Sequence, residues 1–315
     1  MRRVLGDAFG GLRRAFGSVR ILFGVWGLHF LLALAVALPF HGALDRAMAP
    51  RKDALELVPS YSAEFDFDFR NGSSEIFEVA GGTLTVLVFL SFLLGRFVEA
   101  GWIGVFHEPR AVGGLRTFFR WGAREWLRFL RVSAFVLLAL AVAGWFAHGR
   151  PWSFAFRLLT GAEAPDALSS ERTAVTFEWA QGALYLGAIA FLLAVGDYAK
   201  IAIVESERRS AFFAFFHGLF FVLRHPWRTG LLAASFTGLE MAALALAAVA
   251  LPALTERASD AWHVIGIFVF LQLVVVCRIG FRGARFAGQL ALYRSIQAEA
   301  APLISPISAA RHAGL

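Results

Sequence analysis

The chain has 315 residues, of which 58% are hydrophobic, and its mean hydropathy is +0.63. Soluble globular domains are about 45–50% apolar, so this composition excludes an ordinary soluble domain and indicates a membrane protein. The formal net charge is +7, but the basic residues flank apolar segments and therefore favour anionic lipid headgroups over nucleic acid as partners. Cys277 is the single cysteine, which excludes an internal disulfide and a cysteine-based metal site.

Six apolar stretches have about the length of a membrane-spanning helix. They lie at 21–39, 79–98, 132–148, 179–200, 229–252 and 261–281. Since about 20 apolar residues cross the hydrocarbon core as a helix, the sequence predicts an all-α polytopic membrane protein, with six transmembrane helices in one domain, 1–315.

The segments between these spans alternate between arginine-rich and acidic. Assigned to the two sides in turn, 22 of the 30 Lys and Arg residues fall on one side. The positive-inside rule places that side in the cytoplasm. We therefore expect a protein of the bacterial cytoplasmic (inner) membrane with both termini in the cytoplasm.

A basic, aromatic segment precedes the first, third and fifth spans. These segments, at 4–19, 112–131 and 208–224, are typical of amphipathic helices that lie on the cytoplasmic leaflet, and we call them the surface helices. The sequence thus predicts three helical hairpins, each preceded by a surface helix. In the second surface helix a stripe at every fourth position is predicted to contact lipid headgroups: Arg116, Arg120, Arg124 and Arg128. The alternative is a cytoplasmic helix packed on the bundle.

The ends of the second and fourth spans carry charges of opposite sign at matching positions. GRFVE in the second aligns with GDYAK in the fourth, which sets Arg96 against Asp197 and Glu99 against Lys200. A looser match lies at Cys277-Arg278 in the sixth span. Charges at span ends are commonly paired or reach the interface, so we expect ion pairs with a structural role.

Three polar residues fall inside predicted spans, namely His29, Glu240 and Gln272. At 1.5 Å per residue they lie about 12–16 Å from the cytoplasmic ends of their spans. A carboxylate at that depth costs about 2.5–3.5 kcal/mol, so Glu240 should be partnered or protonated. The three residues form either interhelical hydrogen bonds or a proton-relay or substrate-binding cluster.

The segments 40–78 and 149–178 are predicted to be extracytoplasmic loops, and 299–315 a flexible cytoplasmic tail. Period-two alternation at 64–70, and a similar stretch at 173–178, predict a small β-sheet. The acidic residues Glu64, Asp66 and Asp68 are interpreted as a solvated face, because a strand spaces them about 6.6 Å apart and no turn gathers them around a cation. We expect no metal site and no cofactor.

Residues 196–230 read GDYAKIAIVESERRSAFFAFFHGLFFVLRHPWRTG. This segment resembles a recurring pattern in poorly characterised bacterial six-span proteins, and it is similar to the membrane domain that precedes some glycerophosphodiester phosphodiesterases. The resemblance implies the six-span architecture. The chain carries no phosphodiesterase domain, so the resemblance transfers no catalytic residue.

The sequence contains no nucleotide-binding loop and no hydrolase motif. We therefore expect a non-enzymatic membrane scaffold or a subunit of an envelope complex, in contact with lipids and with a protein partner or a second copy. The alternative is a small transporter or channel that uses His29, Glu240 and Gln272. An intramembrane enzyme is the third hypothesis.

Overall fold

The computed structural model describes residues 2–48, 74–108, 114–163, 167–168, 170–206, 210–255 and 261–300. Within these ranges the regular structure is helical. The helices are α1 Arg2–Gly17, α2 Val19–Met48, α3 Ser74–His107, α4 Leu115–His148, α5 Arg150–Thr160, α6 Glu171–Ser206, α7 Ala211–Arg224, α8 Pro226–Thr255 and α9 Ala261–Ala300.

Six of these helices, α2, α3, α4, α6, α8 and α9, are long and apolar enough to cross a membrane. The structure therefore confirms the predicted all-α polytopic membrane class. The shortest of the six have 30 residues and α9 has 40, whereas about 20 residues suffice to span the hydrocarbon core. Each helix continues beyond its predicted span. We call α3, α6 and α9 the return helices, because each is the second span of its hairpin.

The surface helices differ from one another in how they join the span that follows. α1 ends before Ser18, whose carbonyl accepts hydrogen bonds from the first amides of α2. α7 ends at Arg224 with His225 as its C-cap, because Pro226 has no amide hydrogen with which to continue the helix. The second surface helix was predicted as a separate element, and this is wrong. Residues 115–131 and the span at 132–148 form the single helix α4, since no Gly or Pro interrupts the sequence between them.

Two compact units make up the chain. The smaller unit is Phe23–Arg96 and contains most of α2 and of α3. Within it Trp26 stacks on Phe30 one turn later, with the ring centroids 5.3 Å apart. The larger unit consists of Met1–Leu22 and the chain from Phe97 onward.

In the larger unit each surface helix packs on the return helix of a neighbouring hairpin. The second, in the first half of α4, packs on the end of α3, where Phe118 lies against Trp102 at 6.1 Å between ring centroids. The third, α7, packs along α6, and the first, α1, packs along α9 of the last hairpin. The first surface helix thus packs on the last return helix, which makes the pattern of contacts cyclic.

Two of these contacts bring helix backbones together at glycine. A Cβ atom at Gly218 of α7 would lie 2.5 Å from the carbonyl oxygen of Val195 on α6. A Cβ atom at Gly11 of α1 would lie 2.5 Å from the carbonyl oxygen of Ala284 on α9. Only a residue without a side chain permits these distances, so the two glycines set how closely the surface helices approach the return helices.

Burial is concentrated at the basic ends of the helices. We call the buried parts there the basic-end core; it takes in α1, α7 and the segments 98–106, 118–136, 195–204, 229–236 and 284–296. The surface helices bury one face in this core and keep aromatic side chains outside, such as Phe9 and Phe213. Their packing on the bundle agrees with the alternative given for the second surface helix, whereas their place at the membrane interface stays a prediction.

The predicted outer loops are partly helical. α2 continues to Met48, and residues 49–73, with the strand predicted at 64–70, lie outside the described residues. The segment 149–178 contains α5 and the start of α6, so the strand predicted at 173–178 is wrong. That stretch is helical and packs Phe177 against Phe156 of α5, at 5.2 Å between ring centroids. Of the predicted tail, 299–300 is helical and 301–315 lies outside the described residues.

Replacing Gly11 by Ala should destabilise the protein by about 1–3 kcal/mol, because the new methyl group overpacks the contact with Ala284. The adjacent change Gly10→Ala is the matched control, since nothing lies within 4 Å of a Cβ atom there and Ala has the higher helix propensity. Thermal unfolding in detergent, followed by tryptophan fluorescence, measures both. Equal Tm values for the two variants would contradict the close approach of α1 to α9.

Candidate functional site

The interior of the basic-end core holds an ion-pair cluster with one member from each return helix. Lys200 Nζ lies 2.8 Å from Glu99 Oε2, and Arg282 Nη2 lies 2.5 Å from Glu99 Oε1. The side chains of Glu99 and Lys200 are 2% and 4% exposed, whereas that of Arg282 is 40% exposed. We call these three residues the Glu99 cluster. Two cations compensate one buried carboxylate, which offsets the cost of removing the charges from water.

Aromatic contacts between the return helices and the surface helices lie beside each member of the Glu99 cluster. Two residues before each of them, the return helix contacts an aromatic ring of a surface helix. These contacts are Phe97 with Phe118, Tyr198 with Phe221, and Gly280 with Phe16. The sequence match covers Glu99 and Lys200 but not Arg282, which lies four residues after the Arg278 of the looser match. The three return helices bring these charged side chains together.

Asp197 lies almost one turn before Lys200 and has partners on α9. Gln289 Nε2 donates a hydrogen bond to Asp197 Oδ2 at 3.2 Å, and Arg285 Nη2 lies 3.4 Å from the same oxygen. The sequence predicts Arg96 as its partner. Arg96 belongs to the smaller unit, where its guanidinium lies over the ring of Phe92, and its pairing with Asp197 stays a prediction.

A second cluster joins the same three return helices closer to their ends. Arg294 of α9 donates hydrogen bonds to both carboxylate oxygens of Glu205, and His107 Nδ1 lies 2.6 Å from Glu205 Oε1. Arg294 also donates to the backbone carbonyl of His107 at 3.2 Å. Sequence reasoning missed these three residues. They lie beyond the predicted spans, where a charged side chain is expected to be exposed to solvent and so indicates no partner.

Four buried polar atoms beside these clusters have no hydrogen-bond partner among the described residues. They are Trp102 Nε1, Tyr198 Oη, Arg285 Nε and Gln289 Oε1. A buried polar group without a partner costs about 1–3 kcal/mol. The interior is therefore more polar than packing alone requires, which makes it the candidate functional site of the larger unit.

Glu240 has a partner that the sequence analysis did not assign to it. Arg278 Nε of α9 donates a hydrogen bond to Glu240 Oε1 at 3.1 Å. Glu240 lies one turn after Phe236, the last buried residue of α8. The estimated depth of about 16 Å assumed that the span begins at 229. In the structure α8 is packed in the basic-end core as far as Phe236, so Glu240 lies at the edge of that core.

The other two residues of the predicted intramembrane cluster lie on different helices. His29 belongs to the smaller unit, and its Nδ1 lies 2.8 Å from the carbonyl oxygen of Val25 in the same helix. Gln272 lies on α9, six residues before Arg278. A cluster of His29, Glu240 and Gln272 stays a prediction, whereas the contact between Glu240 and Arg278 is observed in the structure.

The predicted lipid-facing stripe consists of Arg116, Arg120, Arg124 and Arg128. Three of its members also contact carboxylates of the protein. Arg120 pairs with Glu108 at 2.6 Å, while Arg124 and Arg128 lie 3.1 and 2.9 Å from the buried Glu125. Arg116 is exposed and has no ion pair among the described residues. The stripe thus combines internal pairing with an exposed basic surface.

Among the described residues, no group of three or more His, Cys, Asp or Glu side chains is placed to hold a metal ion. Glu64, Asp66 and Asp68, which the sequence analysis considered for this role, lie outside the described residues.

Comparison of the chain with protein-family models, with curated proteins and with solved structures gives no match. A function can therefore be inferred only from the geometry of the chain's own residues.

Replacing Lys200 by Met should lower the free energy of unfolding by about 3 kcal/mol, because Glu99 stays buried with Arg282 as its one remaining partner in the cluster. The double variant Glu99→Met/Lys200→Met removes the buried carboxylate as well and should recover part of that loss. Thermal unfolding in detergent compares the two. A double variant that is less stable than Lys200→Met would show that the charges do not compensate each other.

Proposed function

We propose that this protein is a non-catalytic scaffold, or a subunit of an envelope membrane complex, in the inner membrane of a bacterium. The basic ends of its helices and both termini lie in the cytoplasm, as the positive-inside rule requires.

The observation that carries the proposal is the uneven burial of the long helices. They pack at their basic ends, but none of the residues in the most apolar stretch of α8 is buried. Leu246 and Val249 on that stretch are 71% and 76% exposed. Such uncovered spans suit lateral contact with lipid and with the helices of other proteins.

The alternative is a small transporter or channel that uses His29, Glu240 and Gln272. Glu240 Oε1 accepts a hydrogen bond from Arg278 Nε at 3.1 Å, which favours a structural ion pair over a relay. The alternative predicts that Glu240→Gln abolishes transport while the protein still assembles.

Photocrosslinking in intact cells tests the scaffold role. A photoreactive amino acid is placed at one exposed leucine in each span: Leu38, Leu84, Leu138, Leu184, Leu246 and Leu273. We expect a discrete protein adduct from at least one of these positions, because a scaffold holds its partner against a defined span. The buried Leu232 and Leu290 are the controls and should give none. Lipid adducts alone at all six positions would contradict the proposal.

Replacing Arg116 by Gln should weaken the binding of anionic lipid without changing the Tm. A basic residue near the membrane surface contributes about 1 kcal/mol, which corresponds to about fivefold weaker binding. Native mass spectrometry of the protein titrated with phosphatidylglycerol measures the change. The control is Arg120→Gln, which should also lower the Tm, because Glu108 loses its ion-pair partner and keeps only the hydrogen bond from Trp121 Nε1. Unchanged lipid binding by the Arg116 variant would mean that the stripe orients the protein without holding lipid.

A further inference from the structure

The ion pair between Glu240 and Arg278 lies on an otherwise apolar face of α8 and α9. Glu240 is the one charged residue of α8 between 229 and 255, and α9 has no Asp, Glu, Lys or Arg between 262 and 277. The side chains of Glu240 and Arg278 are 34% and 53% exposed. The neighbouring Met241 is 60% exposed. The pair is thus a polar point on a surface that otherwise suits hydrocarbon.

Each side chain of this pair has unused hydrogen-bonding capacity. The bond from Arg278 Nε to Glu240 Oε1 is the one hydrogen bond that either side chain makes among the described residues. Two guanidinium nitrogens of Arg278 and one carboxylate oxygen of Glu240 therefore make no hydrogen bond to the described residues. Charged residues within spans are costly in contact with lipid and almost always face protein or a water-filled cavity. A protein surface with complementary charges would satisfy these atoms.

We propose that the α8–α9 face binds the same face of a second copy of the chain, with Glu240 of each copy against the partner's Arg278. A two-fold axis joins identical patches, so an interface of this kind must be self-complementary. This face meets the condition, because it carries one acidic and one basic group side by side. Two copies would form a ring of four alternating charges, and the apolar side chains around it would cover the ring. The inference rests on the proposed function and names the partner as a second copy.

Charge exchange between two differently tagged copies tests the interface. Glu240→Arg gives a chain with two basic groups on this face, and Arg278→Glu gives a chain with two acidic groups. Either variant alone should show a dimer-to-monomer ratio about tenfold or more below wild type, because like charges meet across the axis. Expressed together, the two variants should form mixed dimers at close to the wild-type level. Neither chain of a mixed dimer has an ion pair between its own residues 240 and 278. Recovery of the dimer would therefore show that these positions contact each other across the two copies.

The measurement is single-molecule photobleaching of labelled protein in nanodiscs, with co-purification of the two tags as the second readout. Arg228 and Glu299 supply a matched control, because they form an exposed ion pair between the same two helices, outside the apolar stretch. Arg228→Glu should leave the dimer-to-monomer ratio unchanged. If a charge-exchanged chain fails to accumulate, Glu240→Gln/Arg278→Gln replaces it and should lower the ratio without introducing repulsion.

A monomeric wild-type protein in the membrane would overturn the inference, as would mixed variants that fail to associate. If the span positions crosslink to a different protein while the chain stays monomeric, the second-copy interface is wrong and the scaffold function stands. If they crosslink to no protein at all, both are wrong.

Discussion

The buried carboxylate of Glu99 is the constraint on which the larger unit depends. A charge removed from water must be compensated at close range, and here the compensation comes from Lys200 and Arg282 on two other helices. The three return helices must therefore bring these charged groups together at one point. The glycines that bring the surface helices into backbone contact, and the aromatic rings packed beside each charge, are arranged around this convergence.

Because the charges meet at the basic ends of the helices, the packing energy is concentrated there too. The spans beyond this region bury little of their apolar surface within the chain, as α8 shows most clearly. In a bilayer such surfaces cost little, since lipid tails are as apolar as leucine. The protein thus combines a buried basic-end core with spans whose apolar side chains are exposed. This division favours a role in lateral assembly over chemistry inside the spans.

The arginines serve two physical purposes that their number alone does not separate. Their asymmetry along the chain predicts the orientation of the spans, but several of them act within the fold. Arg282 compensates Glu99, Arg294 holds Glu205, and Arg128 contacts the buried Glu125. What reads as a topology signal in the sequence is therefore also the set of cations that the core requires. Arg116, exposed and without an ion pair among the described residues, is the member of the stripe best placed to meet lipid headgroups.

The sequence by itself determined the all-α membrane class, the six spans, the surface helices at 4–19 and 208–224, and the pairing of Glu99 with Lys200. These features follow from hydropathy, helical period and a match between repeats, all of which are local or repeated along the chain. Only the tertiary structure decided that Arg282 completes the Glu99 cluster, that Arg294 joins His107 to Glu205, and that Arg278 partners Glu240. Each of these contacts joins residues that are distant in sequence, through helices that continue past the predicted spans. Hydropathy marks where a span ends but carries no information on how far its helix continues or which charges it meets.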